Sequence, residues 1–139
     1  MTDAAEVGVV LVGHGRTASE LLAAAEGIVG PDALGGIIAV DAGRGETPRL
    51  GEELCDVLEQ ADAGRGVLVV VDLWGASPCS CAQLQAGSRR VTTLSGLNLA
   101  ILLKLAALDR GTLELPAIAE ACADSGRRAV QIKSKGSET

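Results

Sequence analysis

The chain has one histidine, His14, held between two glycines in Gly13-His14-Gly15. An imidazole serves near neutral pH as nucleophile, proton carrier or metal ligand. The flanking glycines, Gly15 in particular, leave room for another group to approach the ring. Asp72 ends the apolar run Val67-Leu68-Val69-Val70-Val71. A carboxylate there that accepted the Nδ1–H of His14 would fix the tautomer and leave Nε2 as a nucleophile. It would also balance the positive charge of the ring once Nε2 had reacted. Ser77-Pro78 has the form of a helix start, with Ser as the cap and Pro at the first helical position. The free N–H groups of such a turn, with the Ser hydroxyl, make an anion site where a phosphoryl group on His14 could rest. Gly75 permits the tight turn before it. Arg16 offers a fork for phosphate oxygens or an acidic partner. Each residue also has a plainer reading: His14 in a loop, Asp72 and Ser77 as caps, Arg16 as a solvated charge, and Trp74 in the core rather than at a pocket rim.

The elements that must position these residues follow from the apolar pattern. Residues 7–12 and 67–71 are short Val-rich runs, predicted as strands buried on both faces. Further strands are expected over 36–40 and 90–94. Helices are expected over 17–28, from Thr47-Pro48 to 61, from Ser77-Pro78 onward, over 98–107 and over 116–125. Residues 128–133 alternate apolar and polar, as an edge strand does. Strands alternating with helices predict an α/β fold, doubly wound, with a mainly parallel sheet and helices on both faces. Such sheets place ligands outside the carboxyl ends of their strands. Four polar segments fall there: His14, then Asp41-Ala42-Gly43-Arg44-Gly45, then Asp72 to Ser77 (including Gly75 and Ala76), then Ser95 to Asn98.

Composition narrows the functions further. The 139 residues read as a single domain, 1–139, large enough for its own core. Net charge is −6, with one Trp and no Tyr or Phe. That combination speaks against nucleic acid, an anionic membrane surface and base stacking. The apolar runs are too short for a membrane span, and the N-terminus carries acids where a secretion signal carries bases. A cytoplasmic protein is expected. Cys55, Cys79, Cys81 and Cys122 fit neither a disulfide framework nor zinc-ligand spacing. No metal is expected. No GxxxxGK[ST] or dinucleotide fingerprint occurs, so no cofactor is expected either.

Three segments together carry a family resemblance. Gly8-Val9-Val10-Leu11-Val12-Gly13-His14-Gly15 resembles the opening of the mannose-family enzyme IIA domains of the bacterial phosphotransferase system. Val71-Asp72-Leu73-Trp74-Gly75-Ala76-Ser77-Pro78 resembles that family's Asp-aromatic-Gly-Gly-Ser/Thr-Pro stretch. Leu94-Ser95-Gly96-Leu97-Asn98-Leu99 resembles its Gly-Val-Asn-Leu-Pro segment. The resemblance runs from about residue 7 to residue 133. It implies a phosphocarrier whose His14 takes a phosphoryl group from phospho-HPr and passes it to a separate enzyme IIB for sugar uptake. Asp72 would orient His14, and Ser77 would help hold the phosphoryl group. It also implies a homodimer in which the last strand, 128–133, is antiparallel and exchanged between subunits. The sequence departs from the family at Ala76, where a second Gly is common, at Cys79-Ser80-Cys81, and at Ala100, where Pro is usual.

Other chemistries remain open from the residues alone. A regulatory phosphoacceptor or binding module would use the same site without transport. A hydrolase could use Ser77, His14 and Asp72 as a triad, although Gly75-Ala76-Ser77-Pro78-Cys79 is not GxSxG. A thiol redox protein could use Cys79 and Cys81, which read better as small buried hydrophobes.

Overall fold

A computed structural model describes residues 5–44, 48–73 and 90–136. The predicted helix starting at Ser77-Pro78, the Thr47 cap, and Trp74, Gly75, Ala76, Ser77, Cys79 and Cys81 lie outside the described residues. Among those described, the strands are β1 (Gly8–Gly13), β2 (Ile38–Asp41), β3 (Val67–Val71) and β4 (Val91–Ser95). The helices are α1 (Thr17–Val29), α2 (Pro48–Ala61), α3 (Leu99–Ala107) and α4 (Leu115–Arg128), with a short 3-10 turn at Asp32–Leu34.

The strands form one parallel sheet in the order β2-β1-β3-β4. β1 and β3 are buried along their whole length, as their unbroken apolar sequences require of central parallel strands. Successive side chains point to opposite faces and divide the core in two. Val9, Leu11, Leu68 and Val70 pack under α1, α3 and α4, with Ala18, Leu102, Leu105, Ile118 and Cys122. Val10, Val12, Val69 and Val71 pack under α2, with Leu54, Val57 and Leu58. The chain runs from β1 outward to β2, then back across to β3. Right-handed crossovers in opposite directions put α1 and α2 on opposite faces, which is the doubly wound pattern. Gly8 admits α2 at the start of β1: a Cβ there would meet the Ala61 carbonyl oxygen at 2.2 Å.

The segment 128–133, expected as an edge strand exchanged between subunits, is not a strand in the single chain. Arg128 closes α4, where it pairs with Asp124 one turn earlier, and residues 130–135 join no ladder among the described residues. Its alternating apolar residues are left uncovered among the described residues, with Val130 and Ile132 79% and 92% exposed. Cys55 on α2 is disulfide-bonded, a pairing that tertiary proximity sets and sequence spacing does not mark. Cys122 is a free, buried thiol.

Charges at the amino-terminal edge of the sheet are structural. The buried Arg110 donates to the Val7 carbonyl at 3.0 Å and the Gly35 carbonyl at 3.1 Å. Arg65 donates to the carbonyls of Ala5, Arg110 and Leu113. These guanidiniums satisfy loop carbonyls opposite the site. No helix among the described residues is long and apolar enough to cross a membrane.

Candidate functional site

The strand order reverses direction between β1 and β3, and ligand sites in open α/β sheets form at such a switch point. His14 follows β1 and Asp72 follows β3, so register brings together two residues 58 positions apart. The Asp72 N–H bonds to the Val12 carbonyl at 3.1 Å, which carries the ladder one residue past β3. Asp72 then holds His14 by both backbone and ring. The His14 backbone N–H donates to Oδ2 at 2.8 Å. The Nδ1 atom lies 3.1 Å from Oδ2 and 3.2 Å from Oδ1.

A carboxylate facing Nδ1 requires the proton there, so Nε2 carries the lone pair. The His14 side chain is 49% exposed and that of Asp72 21%. Half of the imidazole is open to solvent while its orienting partner is sheltered. Desolvation pushes the Asp72 carboxyl up, but the hydrogen bonds from the His14 backbone and ring, with their charge interaction, outweigh it. The net effect holds Asp72 below the usual carboxylate range.

The backbone around His14 is fixed by its neighbours. The Thr17 N–H and hydroxyl both donate to the His14 carbonyl, at 3.0 and 2.6 Å. Gly13 lets α1 start directly after the strand, since a Cβ there would sit 3.0 Å from the Thr17 Cβ and 3.1 Å from the Ala18 nitrogen. Gly15 adopts φ +57° and forms an isolated antiparallel bridge with Gly43. Arg16 is exposed and lies 3.5 Å from Glu20, the next turn of α1.

Asp41 performs a task that sequence reasoning missed. It caps α1 from the end of β2, accepting the Ser19 N–H at 3.0 Å and the Ser19 hydroxyl at 2.5 Å. The residue at the cap position, Arg16, makes no side-chain cap bond. An aspartate closing a strand beside a helix lacking a local cap was the available signal. Asn98 sits after β4 at the same sheet edge, with both ends of its amide engaged. Its Oδ1 accepts the Ile101 N–H at 3.0 Å and caps α3, and its Nδ2 donates to the Gly126 carbonyl at 3.3 Å. The described geometry thus unites His14, Asp72 and Gly15, sets Arg16 two residues away on the rim, and gives Asn98 a tethering role.

An open parallel sheet with a carboxylate-oriented, exposed histidine at its switch point defines a class: a doubly wound α/β protein with an imidazole–carboxylate pair at the carboxyl ends of its strands. The family described as PTS system fructose IIA component matches residues 8–122. The chain belongs to this family, the mannose-type IIA components of the phosphotransferase system. Among solved structures, it is similar to a mannose/sorbose specific IIA subunit of the phosphotransferase system from Enterococcus faecalis. That likeness has 28% identity and a TM-score of 0.76, covering 96% of this chain and 99% of that one. It shares its fold with a PTS IIA protein associated with the fucose utilization operon from Streptococcus pneumoniae (24% identity, TM-score 0.69, 89% and 93% covered). It also shares its fold with a sigma-54 interaction domain protein from Enterococcus faecalis (21% identity, TM-score 0.71, 91% and 95% covered). No curated protein matches in sequence.

Proposed function

We propose that this chain is a phosphocarrier that accepts a phosphoryl group on Nε2 of His14 from phospho-HPr and passes it to a separate enzyme IIB. The observation that carries the reading is the pairing of Nδ1 with Asp72, which leaves the Nε2 lone pair unengaged by Asp72 on a half-exposed ring at the switch point. In the transfer, that lone pair forms the new N–P bond as the N–P bond to the donor imidazole breaks. The donor ring, protonated on its other nitrogen, takes back its electron pair and leaves neutral. His14 keeps its Nδ1 proton and becomes positively charged, and the Asp72 carboxylate balances that charge. Phosphoryl transfer of this kind needs positioning and charge stabilisation more than further covalent chemistry. In this reading Ser77 and the turn containing Gly75 and Ala76 supply donors to the phosphoryl oxygens, and Trp74 lies on the partner-facing rim.

The exposed apolar residues Val130 and Ile132 favour exchange of the segment 128–133 between two subunits of a homodimer. A cavity of about 420 Å³, lined by Thr93, Leu94, Ser95 and Gly96 of the β4 edge and by Val130, lies beside it. An unpaired strand edge invites such an added strand.

The test is incubation with phosphoenolpyruvate, enzyme I and HPr. An acid-labile phosphate mass shift, absent in His14→Ala, is the expected result. A folded wild-type protein that stays unmodified beside a working control carrier refutes the proposal. A second reading, a regulatory phosphoacceptor, draws on the fold shared with the sigma-54 interaction domain protein. Phosphorylation without onward transfer to any enzyme IIB would favour it.

A further inference from the structure

β1 lies between β2 and β3, so His14 has two flanks. Asp72 occupies the β3 flank. The β2 flank is held by backbone bonds. The Ala42 N–H donates to the Gly13 carbonyl at 2.8 Å, the Gly15 N–H to the Gly43 carbonyl at 2.6 Å, and the Gly43 N–H to the Gly15 carbonyl at 3.4 Å. The Gly15–Gly43 bridge is antiparallel. The bridge sets Gly43 against Gly15, the neighbour of His14, and the residue that follows Gly43 is an arginine. Arg44 is exposed. Among the described residues it has no ion pair.

A phosphoryl group on Nε2 of His14 adds a dianion next to the Asp72 carboxylate, in a chain whose net charge is already −6. That arrangement calls for a cation on the side away from Asp72. Arg16 is drawn toward Glu20 along α1. Among the described residues Arg44 carries no such competing partner, and its fork matches two phosphoryl oxygens. We infer that Arg44 is a phosphoryl-binding residue, which pairs through its guanidinium with the group carried on His14. This rests on the carrier reading and assigns a contact within that same site.

An equilibrium measurement tests the assignment. Phosphoryl groups are allowed to partition between HPr and either wild type, Arg44→Gln or Arg44→Lys, and both phosphoproteins are quantified once the ratio is constant. A contact to the bound phosphoryl group stabilises the phosphorylated form, so Arg44→Gln is expected to shift the equilibrium toward phospho-HPr by roughly 3- to 10-fold. Arg44→Lys should recover part of the shift, and 1 M salt should shrink the difference. A partner-docking role changes only the approach to equilibrium. A slower rate with an unchanged ratio overturns the assignment, as does no change in either. Failure of wild type to take any phosphoryl group refutes the carrier reading itself. A phosphorylated wild type with an indistinguishable Arg44→Gln refutes the Arg44 contact alone.

Discussion

Asp72 grips His14 at two points, the backbone N–H at 2.8 Å and the ring Nδ1 at 3.1 Å. One carboxylate thereby fixes where the imidazole starts and which nitrogen it presents. Asp72→Asn keeps the shape but offers an amide that can face Nδ1 with either its oxygen or its nitrogen, so the tautomer is no longer dictated. The rate of phosphoryl uptake should fall roughly 10- to 100-fold, the scale of one hydrogen bond to a charged group. Single-turnover mass measurement beside an unchanged circular dichroism spectrum checks this.

The same pair has a pH signature. The Asp72 carboxyl lies below its usual range because the bonds from His14 outweigh its desolvation. A carboxyl lowered by folding contributes stability above its unfolded value and loses it as pH falls through its folded value. The Tm advantage of wild type over Asp72→Asn should thus be full above about pH 5 and shrink toward about pH 3. A gap that stays constant across that range would show that the pair adds no linked stability.

The central part of this site was legible in the sequence because its strands are apolar on both faces. Val67 to Val71 has no polar break, so Asp72 marks the strand end, and the same holds for Val9 to Val12 before His14. Parallel topology then forces the two ends to one edge. The cap from Asp41 to Ser19 was only half legible: an aspartate closing a strand and a helix lacking a local cap are visible, but their pairing depends on β2 lying beside the start of α1, which no local pattern states. The C-terminal segment forms no strand within the single chain for a different physical reason. The period-two pattern at Val130 and Ile132 is short, whereas α4 continues through Gly126 to Arg128, with Arg127 and Arg128 in its last turn, where cations suit the helix dipole. Gly126 is a poor helix former by propensity. Here it is buried against Ile101, where a Cβ would meet the side chain at 2.9 Å, so packing overrides propensity.

Asp41 supplies a cap from another element, so its loss should resemble the loss of a local one. Asp41→Ala leaves the Ser19 N–H without its acceptor and should cost about 1 kcal/mol. For a domain of this size that lowers Tm by about 3 °C. Thermal unfolding at neutral pH checks it, with Ser19→Ala, which keeps the backbone bond, expected to lose less.

Burial pushes the Cys122 thiol up to about 11, although Lys104 nearby pulls it the other way. A thiol so raised, with no exposure, has almost no thiolate at pH 8. The peptide containing Cys122 should remain unlabelled by iodoacetamide in the native protein and become labelled once denaturant unfolds it. Native labelling at a rate comparable with a free thiol would mean that α4 opens away from α3 far more often than this packing permits.

The tightest glycine contact among the described residues gives the sharpest stability test. Gly8 lies where α2 ends, and a methyl group there would come 2.2 Å from the Ala61 carbonyl oxygen. The obstacle is backbone, so no rotamer change relieves it, and either α2 or β1 must shift. Gly8→Ala should therefore destabilise by about 3 kcal/mol, the upper end for overpacking. Because β1 carries His14 at its other end, any displacement passes along the strand toward the site. Denaturant unfolding should show a lower midpoint with an unchanged slope, and phosphoryl uptake should fall although the substitution lies at the far end of β1. Uptake that holds at the wild-type rate in the folded variant would show that the strain is absorbed by α2 alone.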